Sequence, residues 1–157
     1  MMRLPEFRYH APRSLREAAT ILTGEGTSAM IVAGGTDLYP NMKRRHQTPA
    51  TLVSLRHVGR MSGIRALRLA TGGDGGAARG LFIGPNTTLT AIEENALVKR
   101  AWPGLHEAVK TISTPILRNM GTIGGNILLD TRCNYYNQSY EWRRAINFCM
   151  KCDGTVC

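Results

Sequence analysis

Cysteine is absent from the first 132 residues of this 157-residue chain, and all four cysteines fall in the last 25. A disulfide framework would be spread through the fold, so this distribution excludes a small disulfide-stapled scaffold. Thiols gathered into one tail point instead to a metal or iron–sulfur site. No apolar run reaches the length of a membrane helix, and residues 1–13 lack the apolar stretch of a secretory leader. The expected compartment is the cytoplasm, with no membrane partner. Aromatic residues make up only 6% of the chain against 43% apolar residues, so the core has to be aliphatic. Acidic residues number 11 against 20 Lys and Arg, leaving a net charge of +9. An anionic partner suits that balance: a phosphorylated cofactor, an acidic protein surface or nucleic acid. The one tight basic cluster, Lys43, Arg44, Arg45 and His46, reads as a solvated face, and no nucleic-acid partner is expected.

Several signatures are also missing. There is no G-x-G-x-x-G fingerprint and no G-x-x-x-x-G-K-[ST] loop. His10, His46, His57 and His106 are scattered, and no Ser-His-Asp or Cys-His arrangement is legible. No catalytic residue is predicted.

What is present begins with a capping box, Ser14-x-x-Glu17. It opens a helix to about Leu22, with Leu15, Ala18, Ala19 and Leu22 on one face, ended by Gly24 and Gly26. Residues 29–33 read as a buried strand, 38–45 as a short helix starting late because of Pro40, and 51–55 as a strand. Strands at 64–70 and 81–84 bracket a hairpin tip at 71–80. Thr88 or Thr90 caps a helix over 91–95, a longer helix covers 105–112, Pro115 breaks the chain, and 123–129 is strand-like.

Two glycine turns stand out. Ile31-Val32-Ala33-Gly34-Gly35-Thr36-Asp37-Leu38 runs from an apolar strand into adjacent glycines. Without a Cβ, backbone there can approach a phosphate, and successive N–H groups can form an anion nest. Thr36 adds a hydroxyl, and Asp37 is placed to cap the next turn or accept from a sugar hydroxyl. The second turn, Arg118-Asn119-Met120-Gly121-Thr122-Ile123-Gly124-Gly125-Asn126, has three glycines in five positions with Thr122 and Asn126 as polar donors. Each alone is also what an ordinary tight bend looks like. Two of them far apart suit an extended dinucleotide.

The run 32–38 followed by Met42-Lys43, the run 119–126, and Ile83-Gly84-Pro85-Asn86-Thr87-Thr88 with Leu89 and Ile92 between them resemble the motifs of the flavin subunits of molybdenum hydroxylases. Order and spacing agree over residues 1 to about 130. The resemblance implies an α+β, PCMH-type FAD-binding fold with a small N-terminal lobe (1–55) and the start of a second mixed α/β lobe (56–130). FAD would be held by residues 31–38, by 122–126 and by Asp130. It implies a subunit that passes electrons, partnered by a molybdenum-cofactor subunit and a [2Fe–2S] subunit.

The tail, 131–157, reads as a separate cysteine-bearing insertion. From the thiols alone, Cys149-x-x-Cys152 with Cys133 and Cys157 fits a Cys₄ zinc site as well as an iron–sulfur cluster. A zinc-bearing basic module that contacts nucleic acid is thus the alternative reading. The stretch Asp130-Thr131-Arg132-Cys133-Asn134-Tyr135-Tyr136-Asn137-Gln138-Ser139 resembles the 4-hydroxybenzoyl-CoA reductase branch of the family. That branch implies an extra [4Fe–4S] cluster fed by a ferredoxin-type donor, with Cys133, Cys149 and Cys157 as ligands. Either Cys152 substitutes as the fourth ligand or the fourth lies beyond Cys157. On the second reading, the chain is an N-terminal fragment, which would be inactive by itself. Tyr135, Tyr136, Tyr140 and Trp142 would shield a cluster or form ordinary core.

Overall fold

In the computed structural model the described residues are 3–69, 78–129, 133–151 and 153–157. The chain forms two compact units, Met1–Ile127 and Leu128–Cys157.

The first unit opens with a β-α-β-α-β run: β1 (Arg8–His10), α1 (Leu15–Glu25), β2 (Ala29–Val32), α2 (Leu38–Lys43) and β3 (Thr51–Ser54). The strands form a parallel sheet of order β1-β3-β2, with Arg8 and Ala29 both paired to Thr51. All four residues of β3 are buried because it is the central strand. Its polar Thr51 is satisfied there, accepting from Arg8 (3.1 Å) and donating to Glu25 (3.0 Å). β2 is an edge strand, so the expected buried run at 29–33 is buried only at Val32.

The Ser14 cap is present: its hydroxyl accepts from the Glu17 amide at 3.2 Å, and the Glu17 carboxylate accepts from the Arg13 amide at 2.9 Å. α1 runs on through Gly24 and ends at Gly26, which takes φ 57°. Of its expected apolar face only Ala18 is buried. α2 begins at Leu38, ahead of Pro40, because a first-turn proline gives up an N–H that has no intrahelical acceptor. Val32, Leu38, Met42 and Leu52 form the core beneath it, flanked by Leu4, Phe7, Met30 and Tyr39.

The rest of the unit carries an antiparallel pair, β4 (Ile64–Leu69) and β5 (Ala78–Ile83), then α3 (Leu89–Glu94), α4 (Ala96–Ala101), α5 (Pro103–Lys110), α6 (Pro115–Arg118) and α7 (Ile123–Ile127). Thr88, Asn95 and Thr114 cap α3, α4 and α6 through their side-chain oxygens. A second aliphatic core of Leu89, Ile92, Val98 and Val109 packs with Ile64, Leu81, Ile83, Leu105, Ile112 and Ile123. The hairpin tip falls mostly on residues outside those described, and β5 starts three residues earlier than expected. Pro115 opens a helical turn rather than only breaking one. The strand expected at 123–129 is corrected to the helical α7, because the Gly125 amide donates to Thr122 Oγ1 (3.2 Å) and the Asn126 amide to Thr122 O (2.9 Å).

The second unit holds α8 (Tyr140–Ala145), capped by Ser139. Tyr135 packs on Trp142 and Tyr140 on Phe148 at centroid distances of 6.0 and 5.9 Å. No helix among the described residues is long and apolar enough to cross a membrane.

Candidate cofactor-binding site

The parallel sheet delivers the first glycine turn. β2 ends at Val32, and α2 begins at Leu38, so residues 33–37 form the crossing between them. Such loops at the carboxyl ends of parallel strands are where open α/β sheets hold ligands. Ile31 is half exposed, Val32 and Leu38 are buried anchors, and Ala33, Gly34, Gly35, Thr36 and Asp37 are partly exposed between them. Gly35 takes φ 72°, a left-handed conformation that few other residues adopt. Among the described residues, the amides of Gly34, Gly35 and Thr36 donate to no acceptor within the chain. Three successive free N–H groups around a left-handed glycine are the donor set of an anion nest.

The glycines themselves are explained by protein packing. A Cβ on Gly34 would stand 1.8 Å from the Met120 carbonyl oxygen, and one on Gly35 would stand 2.3 Å from the Tyr39 ring. Gly34 is therefore required for the two glycine turns to meet, rather than for close approach of a phosphate. Thr36 Oγ1 lies beside Gly121, 3.6 Å from where its Cβ would be. Asp37 precedes α2 but its side chain does not cap it; the carboxylate accepts from the buried Asn41 at 3.0 Å. Burial, with Tyr9 adding to it, raises the Tyr39 hydroxyl above its ordinary pKa.

The second turn spends most of its amides on the chain itself. Ile123 donates to Thr87 O (2.9 Å), Gly124 to Pro85 O (2.9 Å), and Leu89 donates to Gly121 O (2.9 Å). Thr88 and Thr122 pair as an antiparallel bridge. A Cβ on Gly124 would lie 2.7 Å from Pro85 Cβ, so this glycine too serves close chain packing. Thr122 is buried, whereas Asn126 is partly exposed and its side chain remains available to a ligand. Asp130 lies outside the described residues.

Neither Arg118 nor Glu93 was singled out by sequence for what it does. Arg118 is buried and paired with Glu93 at 2.8 Å. The two are 25 residues apart, so no local pattern marks the pair. Lys43, Arg44, Arg45 and His46 are all exposed, a solvated face.

The tail holds Cys133 and Cys157 exposed and Cys149 partly buried, all as free thiols. Cys133 Sγ accepts from the Tyr136 amide at 3.2 Å. Cys152 lies outside the described residues. Among the described residues no three Cys, His, Asp or Glu side chains gather as a metal-holding group.

The architecture is that of PCMH-type FAD-binding domains, a mixed α/β fold with a glycine turn at the end of a parallel strand. The chain belongs to the family described as "FAD binding domain in molybdopterin dehydrogenase", which matches residues 5–140. It is 37% identical to the carbon monoxide dehydrogenase medium chain of Hydrogenophaga pseudoflava over 78% of this chain and 39% of that protein. It is 32% identical to the glyceraldehyde dehydrogenase medium chain of Sulfolobus acidocaldarius over 78% of this chain and 40% of that one. The solved structure of reconstituted CO dehydrogenase from Oligotropha carboxidovorans superposes with a TM-score of 0.70 at 38% identity, covering 80% of this chain and 40% of that one. The chain thus spans about two fifths of the length of the relatives it matches. Cys149, Cys152 and Cys157 lie past the residues that the family match covers.

Proposed function

We propose that this chain holds FAD and serves as the flavin-bearing, electron-transferring part of a molybdenum-containing oxidoreductase. The observation that carries the reading is the row of free amides at Gly34, Gly35 and Thr36, in a domain of a flavin-binding family. Those three N–H groups would hold the diphosphate, with Ile31, Val32, Ala33 and Leu38 fixing the turn and Asp37 facing a ribose or ribityl hydroxyl. Thr122, Ile123, Gly124, Gly125 and Asn126 would form the opposite wall, their contribution being shape and the Asn126 side chain, since most of their amides are already engaged. Asp130 would add an acceptor. Bound FAD supplies the capacity to take electrons in pairs and release them singly; the chain's part is binding and orientation. None of these residues would touch an organic substrate, and the relatives named above act on substrates as different as carbon monoxide and glyceraldehyde.

The expected partners are a molybdenum-cofactor subunit and a [2Fe–2S] subunit, in the cytoplasm, with lobes at 1–55 and 56–130 around the flavin. A finer reading assigns the chain to the 4-hydroxybenzoyl-CoA reductase branch, which removes a phenolic hydroxyl from an aromatic thioester with electrons from a ferredoxin-type donor. Its support is the run 130–139, in which the Cys133 Sγ accepts from the Tyr136 amide. In it Cys133, Cys149 and Cys157 bind a [4Fe–4S] cluster in a tail at 131–157, with Cys152 or a later residue completing the set.

Titration of the full chain with FAD, followed by quenching of flavin fluorescence, tests the main reading. Saturable one-to-one binding, weakened by competing ADP, is expected; FAD fluorescence unchanged by folded protein would refute it. Anaerobic reconstitution with iron and sulfide tests the finer one, where about four irons per chain are expected and zinc alone would count against it.

A further inference from the structure

We propose that Arg118 is a positioning residue for the cofactor cradle, locking the second glycine turn in the place where it meets the first. The proposal rests on the FAD reading above. α6 is only four residues long, too short to hold itself by helical bonds. Its last residue supplies the tie. Arg118 Nε donates to Glu93 Oε2 at 2.8 Å and Nη2 to Glu93 Oε1 at 3.5 Å, while Nη1 donates to Lys110 O at 3.2 Å and Ile112 O at 3.1 Å. One guanidinium thereby joins α6 to α3 and to the end of α5.

The residues that follow carry this placement to the cradle. Asn119 Oδ1 accepts from the Thr90 hydroxyl at 2.8 Å, again from α3. The Met120 carbonyl fills the space of the missing Gly34 Cβ. The Gly121 amide donates to Leu117 O at 2.8 Å, and Gly121 O accepts from the Leu89 amide at 2.9 Å. A rigid anchor at 118 thus fixes a backbone carbonyl two residues on, and that carbonyl fixes the first turn. Burying an ion pair yields little net stability beside an apolar equivalent. The fork of a guanidinium does secure geometry that neither an apolar side chain nor a lysine can reproduce. Arg118 makes no contact with the cofactor and acts through Met120 and Gly121.

The test compares Arg118→Lys, Arg118→Met and Glu93→Gln with the parent chain, at a temperature where circular dichroism reports each variant folded. The dissociation constant for FAD is expected to rise about tenfold or more in Arg118→Met and several-fold in the other two, in line with lost preorganisation. Amide exchange at Gly121 and Leu89 is expected to accelerate. Val98→Ala, which opens the apolar core that Leu89 and Ile92 of α3 share, lowers stability but should leave FAD affinity within about twofold, a split that a merely structural Arg118 would not produce. If Arg118→Met fails to fold, Arg118→Lys and Glu93→Gln decide. Folded variants that bind FAD as the parent does would overturn the proposal. A parent that binds no FAD refutes the flavin reading instead, and the exchange rates then decide: faster exchange at Gly121 and Leu89 sustains the positioning role, unchanged exchange overturns it.

Discussion

The carbonyl oxygen of Met120 occupies the place where Gly34 would carry its side chain, 1.8 Å from an ideal Cβ. Through this contact, two turns 86 positions apart in sequence become one structure, and the free amides of 34–36 acquire a fixed opposite wall.

Gly34→Ala should therefore force the turns apart. Because the clash is with backbone, the cost falls at or above the upper end of the usual overpacking range, about 1–3 kcal/mol, and FAD binding should be lost with it. Gly104 is the control: it lies inside α5 with open space around it. Gly104→Ala should stabilise by about 0.5–1 kcal/mol through helix propensity. Urea unfolding of the two variants checks the opposite signs.

Tyr39 predicts an alkaline limit. Its folded-state pKa lies above the ordinary 10.0, first because of burial and then because of Tyr9. The folded chain thus keeps the phenolic proton to higher pH than the unfolded chain does. Stability on this account is intact below the unfolded value and declines as pH rises from it through the folded one. Tyr39→Phe should flatten that part of the decline, read as the dependence of Tm on pH above about 9.

Thr122→Val keeps the size of the side chain but removes the acceptor of the Gly125 amide. Loss of such a cap costs about 1 kcal/mol. The backbone bonds from Ile123 to Thr87 O and from Gly124 to Pro85 O remain, so a lowered Tm with a small change in FAD affinity is expected.

The tail makes a separate prediction. With Cys133 and Cys157 exposed and Cys149 partly buried, the apo chain should label quickly with a thiol reagent at the first two and more slowly at Cys149. Mass spectrometry of peptides after timed quenching reads the order; equal rates at all three would contradict the placement of Cys149.

Local chemistry was the legible part of this molecule. The Ser14 cap, the break at Gly26, the strand running into Gly34-Gly35 and the Thr88 cap all follow from rules that act within a few residues. The Ile123–Ile127 segment misleads because Ile123, Ile127 and Leu129 lie an even number of positions apart, as on one face of a strand, while adjacent glycines weaken any helical signal. The local Thr122 cap turns it helical, and the tertiary part lies in Thr87 and Pro85, whose carbonyls hold its amides. The glycine turns were visible as a motif, but the reason for Gly34 was not, since it depends on Met120. The Arg118–Glu93 pair was invisible for the same reason.

Backbone amide NMR of the full chain, with and without FAD, tests the central claim most directly. The account predicts that the Gly34, Gly35 and Thr36 amides shift strongly and gain exchange protection at saturating FAD. Ile123 and Gly124, already bonded to Thr87 and Pro85, should be protected in both states. Saturating FAD that leaves the amides of 34–36 unmoved would contradict it.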